Sequence, residues 1–200
     1  MKHFLVLYFG LLMLTACAQD KKPIQGETDY QREQNAKFKD ATQSPLTAKG
    51  LKNFKSLDFF KFDSTYVVRA RFTRTPYTKP FKMKTTTNRL PEYVKYGELS
   101  FVLKGKELKL NIYQNQGLIN QEGYEDYLFL PFLDETNGNE SYGGGRYLDA
   151  RIPKGDTMLI DFNKAYNPYC AYNSKYSCPL VPRQNYLKVR VEAGVKVYKK

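Results

Sequence analysis

From residue 66 onward, hydrophobic residues recur at every second position. In YVVRARF, Val68, Ala70 and Phe72 fall on one side and Arg69 and Arg71 on the other. Successive side chains of an extended chain point to opposite faces, so this alternation predicts half-buried strands. In ELSFVLKGKELKLNIY, Leu99, Phe101 and Leu103 alternate, then Leu108, Leu110 and Ile112, with Lys104-Gly105-Lys106 between them. That arrangement predicts a hairpin. LKVRVEAGVKVY repeats the pattern and predicts a second hairpin turning at Ala193-Gly194. Further strands fit residues 82–87, 128–132, 146–152 and 157–163. About eight or nine short strands with no helical period after residue 55 predict a mainly β fold, a single antiparallel β-barrel or sandwich domain.

A short helical segment should precede this domain. Thr28 or Asp29 caps a helix over residues 29–41, where Tyr30, Ala36 and Phe38 are the few apolar points. Ser44-Pro45 should open a second short helix, with proline at its first position and an end near Gly50.

The first residues bear on location. Lys2 precedes an apolar run from Phe4 to Leu14, which is too short to span a bilayer. Leu14-Thr15-Ala16-Cys17 follows directly and resembles a lipobox. It predicts a signal peptide over 1–16, cleavage after Ala16 and acylation of Cys17 with palmitate-type chains. The polar stretch 17–27 reads as a flexible tether, and residues 28–200 as one mainly β domain. The expected partner is a membrane, reached through the anchor on Cys17. The expected site is the cell envelope. Ala18, by likeness to Gram-negative lipoproteins, points to the outer membrane, facing the periplasm or the cell surface.

His3 is the only histidine, and it leaves with the signal peptide. Ser-His-Asp and Cys-His nucleophiles are then excluded, because both need an imidazole base. Histidine-bearing zinc sites fall for the same reason, and neither metal nor cofactor is expected. The formal net charge is +12 and unevenly spread. Residues 49–109 carry 15 Lys/Arg against 5 Asp/Glu, whereas residues 110–165 carry 4 against 9. The basic residues alternate along strands instead of clustering, so they read as solvated faces and not as a nucleic-acid surface.

The acidic segment holds unusual residues. Around Gly143-Gly144-Gly145 lie Asp134, Glu135, Glu140, Tyr142, Arg146, Tyr147 and Asp149. Successive glycines allow positive φ or close approach of another group. Arg146 presents a planar fork suited to a carboxylate or phosphate. The segment is either a site or a flexible hairpin tip. It has neither the phosphate-loop nor the EF-hand pattern.

The strings GGGRYLDA and LIDFNKAYNPYCAYNSKYSCPLVPRQNYLKVRVEAGVKVY resemble the family called domain of unknown function 1684, as does SPLTAKGLKNFKSLDFFKFDSTYVVRARF upstream. The resemblance implies motif positions at Glu140, Tyr142, Gly145, Arg146, Tyr147, Asp161, Asn163, Tyr166, Asn167, Pro168, Cys170, Tyr172, Cys178, Pro179 and Asn185. It implies no activity.

In TMLIDFN, Met158, Ile160 and Phe162 share one strand face while Asp161 and Asn163 share the other, next to the loop holding Asn167. This suggests a fixed polar network. Its bland form only holds a long loop down. Its sharper form is a pocket in which Glu140 and Asp161 act as an acid/base pair and Arg146 anchors a small polar ligand. Tyr142, Tyr147, Asn163 and Asn167 would complete that pocket. With Cys17 acylated, Cys170 and Cys178 remain as a pair in an oxidising compartment. Their spacing is not that of a redox Cys-x-x-Cys, and a disulfide is expected, against free thiols.

Two function classes follow. One is a binding or structural envelope lipoprotein. The other is a carboxylate-dependent hydrolase acting on a glycan or other envelope substrate, which needs two carboxyl groups about 5–9.5 Å apart across an open cleft. Neither substrate nor protein partner can be read from these residues.

Overall fold

The computed structural model describes residues 26–199. Residues 1–25, with the expected signal peptide, Cys17 and most of the tether, lie outside this range. Among the described residues, no helix is long and apolar enough to cross a membrane.

Helix α1 (Asp29–Lys39) begins where Thr28 accepts a hydrogen bond from the Gln31 amide, while the Gln31 side chain reaches back to the cap backbone. This reciprocal capping box satisfies donors that the first turn leaves open. Helix α2 (Ala48–Asn53) starts later than Ser44-Pro45 suggested. Its cap is Thr47, whose hydroxyl accepts from the Gly50 amide.

Eight strands follow: β1 (Val67–Arg74), β2 (Phe81–Lys82), β3 (Glu92–Leu103), β4 (Lys106–Asn115), β5 (Tyr127–Asp134), β6 (Arg146–Arg151), β7 (Thr157–Asp161) and β8 (Tyr186–Leu187). The order is β6-β5-β4-β3-β1-β7, antiparallel throughout; β2 adds to β3, and β8 pairs parallel with β5. β3 and β4 form the hairpin expected at Lys104-Gly105. The mainly β antiparallel fold is therefore as the alternation predicts, and the sheet curls into a half-barrel.

The concave face carries the main core, which includes Leu99, Phe101, Leu110, Ile112, Leu128, Leu130, Phe132, Leu148 and Ile160. The second predicted hairpin does not form. Leu187, Val189, Val191, Ala193 and Val195 are all buried, yet only Tyr186–Leu187 is strand. The rest of the segment crosses the mouth of the half-barrel as irregular chain. Alternation along it records burial of one side and not ladder pairing.

Its backbone is satisfied piecemeal. Glu135 N–H donates to Val189 O, Phe60 N–H to Gly194 O, Val195 N–H to Ala165 O and Lys196 N–H to Asp58 O. Gly194 sits at φ +78, and a Cβ there would lie 2.5 Å from Ala165 O, so a side chain would be both strained and crowded.

One buried ion pair closes this seam. Arg146 and Asp134 side chains are fully inaccessible and meet at 2.8 Å. Arg146 also donates to Val191 O at 2.7 Å and to Ala193 O, while Asp134 accepts from Val191 N–H at 3.1 Å. The pair thus supplies partners that a neighbouring strand would have provided. Desolvation pushes the arginine pKa down, and Asp134 pushes it back up.

Candidate functional site

The other face of β6 leads to the candidate site. Along Arg146–Arg151, Arg146 and Leu148 enter the core while Tyr147 and Asp149 point the opposite way. Across the β5 ladder, Asp149 stands opposite Phe129, and Tyr127 lies two residues further on the same face. Tyr166 is carried to the free edge of β6 by a two-bond bridge with Tyr147, at 2.9 and 3.0 Å. Helix α1 supplies the facing wall with Tyr30, Gln34, Lys37 and Phe38, the loop 167–179 supplies a further side, and Leu57, Tyr93, Leu118, Tyr124 and Val195 complete the lining.

These elements enclose a cleft of about 480 Å³. Nine of the chain's 17 tyrosines line it. Its volume is that of a small-molecule site, usually about 300–1,000 Å³. A broader depression of about 640 Å³ near Arg89 and Gln121 has no aromatic side chain in its lining.

Among the described residues, Asp149 is the one carboxylate lining the cleft. Its Oδ1 accepts from the Tyr127 hydroxyl at 2.7 Å and from the Tyr166 hydroxyl at 2.6 Å. Burial, reinforced by the Asp149 charge, pushes both phenols well above the ordinary tyrosine range, so they stay protonated as donors. Tyr30 is shifted the same way by burial, then by Asp149, and donates to Lys164 O at 2.8 Å. Among the described residues nothing donates to Asp149 Oδ2, and no Lys or Arg forms an ion pair with Asp149. Tyr147 and Phe129 meet edge to face at 4.7 Å, and Tyr147 and Tyr166 at 5.9 Å. These contacts fix the wall.

The sequence-predicted residues disperse. Arg146 does not anchor the cleft and does not pair with Asp161; it is sealed against Asp134. Asp161 Oδ1 accepts from Asn163 N–H and Nδ2, both at 3.0 Å, and so caps the short turn after β7. Asn163 also ties down Asp63, donating to its carbonyl at 2.9 Å. Glu140 pairs with Arg190, away from the cleft lining. The glycine run serves close packing: a Cβ on Gly145 would lie 2.6 Å from Phe132 O. Tyr142 packs with the cluster beside α1, which contains Phe38, Leu57 and Tyr172.

Tyr147 and Asn167 do line the cleft. Asn167 is buried, donates to Lys196 O at 2.8 Å and to the Tyr172 hydroxyl at 3.3 Å, and leaves its Oδ1 without a partner. Asp149, Tyr127, Tyr30 and Tyr166 were not predicted as site residues. One signal was available for Asp149. It follows Tyr147 by two residues and so shares its strand face.

The expected disulfide is corrected: Cys170 and Cys178 are free cysteines. Cys178 Sγ instead accepts the Cys170 backbone N–H at 3.2 Å. The hydrogen bond between the thiols pushes Cys170 down to about 6 and pushes Cys178 up. Cys178 lies in the cleft wall.

A family model described as "Protein of unknown function (DUF1684)" matches residues 52–196. The chain belongs to this family. The solution NMR structure of an uncharacterized protein from gene locus rrnAC0354 of Haloarcula marismortui is similar to it. The two share 33% identity over 83% of this chain and 89% of that one, with a TM-score of 0.65. No curated protein matches the chain. Asp149 and its two phenols lie within the DUF1684 region, whereas α1 lies before it.

Proposed function

We propose that this DUF1684 protein is a lipid-anchored binding protein of the cell envelope whose tyrosine-lined cleft holds a small ligand. The observation that carries the reading is a cleft of about 480 Å³ with rigid aromatic walls and one carboxylate that keeps an open oxygen. Glycoside hydrolysis asks for two facing carboxyl groups. Glu140 and Asp161, the pair expected for that chemistry, stand in separate local networks outside the cleft lining. The lipobox at Leu14–Cys17 supports anchorage through Cys17.

A thermal-shift screen of the detergent-solubilised full chain against sugars, amines and carboxylates tests binding, since a ligand stabilises by about 2.7 kcal/mol at one hundred times its Kd. At least one class should raise the melting temperature, and Tyr166→Leu should abolish the shift. A shift that survives Tyr166→Leu, or none in any class, rejects the cleft as the site. For anchorage, intact mass should show acyl chains on the wild-type protein. The same lipid mass on Cys17→Ser would reject Cys17 as the anchor.

A further inference from the structure

Resting on the reading of the cleft as a binding site, we propose that its ligand is a protonated amine with an aromatic or apolar body. The recognition charge would be Asp149.

Three observations converge. First, Asp149 has no Lys or Arg ion pair among the described residues, although the chain carries a net charge of +12. Its Oδ1 is occupied by the Tyr127 and Tyr166 hydroxyls, which hold the carboxylate in place. Its Oδ2 has no donor from the protein and faces solvent, since Asp149 is exposed, so a ligand N–H can take the place of water there.

Second, the walls are rings. The faces of Tyr and Phe carry negative potential, and a cation set against them is attracted, the more so when water is excluded. The protein's own cations already use this attraction at the rim: Lys37 Nζ lies 5.6 Å from the Tyr169 ring centre and the Arg151 guanidinium 5.9 Å from that of Tyr127. Arg151 is neutralised by Asp126 at 2.6 Å, not by Asp149.

Third, Asn167 Oδ1 is a buried acceptor in the cleft lining with no donor. Asn167 is 1% exposed, so water compensates it poorly. Its amide orientation follows from the donation of Nδ2 to Lys196 O and to Tyr172. Asp149 Oδ2 and Asn167 Oδ1 are thus lining acceptors without a donor from the protein, and the exposed Asp149 Oδ2 can take an N–H or O–H from a ligand. An anionic ligand would meet the Asp149 charge, with Lys37 as the one cation among the described lining residues. A neutral sugar would supply hydroxyls but leave the carboxylate charge uncompensated.

Isothermal titration of the detergent-solubilised full chain with four probes tests this: phenethylammonium, its neutral analogue 2-phenylethanol, 3-phenylpropionate, and glucose. Phenethylammonium should bind with the highest affinity. Asp149→Asn, which keeps the shape and removes the charge, should weaken it about tenfold or more while changing 2-phenylethanol much less. Tyr127→Phe should weaken the amine more modestly, by releasing one hold on the carboxylate, and remains informative should Asp149→Asn fail to fold. Equal or tighter binding of 2-phenylethanol, 3-phenylpropionate or glucose overturns the amine assignment and leaves the cleft a binding site. Amine affinity that is insensitive to both variants overturns the role of Asp149. Absence of heat for all four probes overturns the amine assignment, and the broader ligand screen then decides whether the cleft binds anything.

Discussion

Two of the charges on strand β6, Arg146 and Asp149, stand three residues apart and meet opposite fates. Arg146 points into the half-barrel, is 0% exposed, and is surrounded by Asp134, two backbone carbonyls and the rings of Phe132 and Phe60. Asp149 points to the opposite face, is exposed, and is held by two phenols with one oxygen open. The pleat alone separates them. A charge with every partner inside the protein holds the chain together. One held in position but not neutralised is available to something else. The arginine is the residue type that suits ligands, yet the aspartate has the environment for one.

The largest expected effect is on the sealed side. Arg146→Met should destabilise by about 3–5 kcal/mol, since Asp134 is left buried and unpaired. Chemical denaturation measures this. The double variant Arg146→Met/Asp134→Leu sharpens the point. If the pair were only an ion pair, stability would return nearly to wild type. Because Val191 O, Ala193 O and Val191 N–H also lose partners, recovery should be partial. Full recovery would show that the C-terminal crossing does not depend on the pair.

Next comes the wall of the cleft. Thr28→Ala removes the cap of α1 and should cost about 1 kcal/mol. Amide exchange should speed up in α1 while β5 and β6 keep their protection. Global unfolding with no local change would contradict the view of α1 as a separable wall.

Asp149→Asn keeps an oxygen that accepts from Tyr127 and Tyr166 but removes the charge, and should cost about 0.5–1 kcal/mol, well below the loss for Arg146→Met. A loss near that of Arg146→Met would erase the distinction between the two faces.

The cysteine pair gives an effect that leaves stability untouched. With its pKa pushed down to about 6, Cys170 should be largely thiolate at pH 7. Its alkylation by iodoacetamide should fall as pH drops through about 6, because protonation removes the nucleophile. Cys178, pushed the other way, should react far more slowly. Peptide mapping after a pulse of reagent distinguishes the two, and equal rates would refute the split.

Much of this molecule follows from local rules in the sequence. The two-residue period of Val68, Ala70 and Phe72, and of Leu99 to Ile112, is imposed by the pleat and survives any detail of packing. The cap at Thr28 follows from four adjacent residues. The same period placed Tyr147 and Asp149 together and apart from Arg146, but it does not say which face is the core. Nor could it show that Val189, Val191 and Ala193 are buried without a partner strand, since alternation depends on burial and not on hydrogen-bond pairing. The fates of Cys170 and Cys178 depended on where their sulfurs point, which spacing and compartment leave open. The cleft itself joins α1 with β5, β6 and the loop 167–179, which lie far along the chain from that helix. Only the curl of the sheet brings Tyr30, Tyr127 and Tyr166 around one carboxylate, because the contacts that make a site are set by the packing of distant elements and not by any stretch of chain.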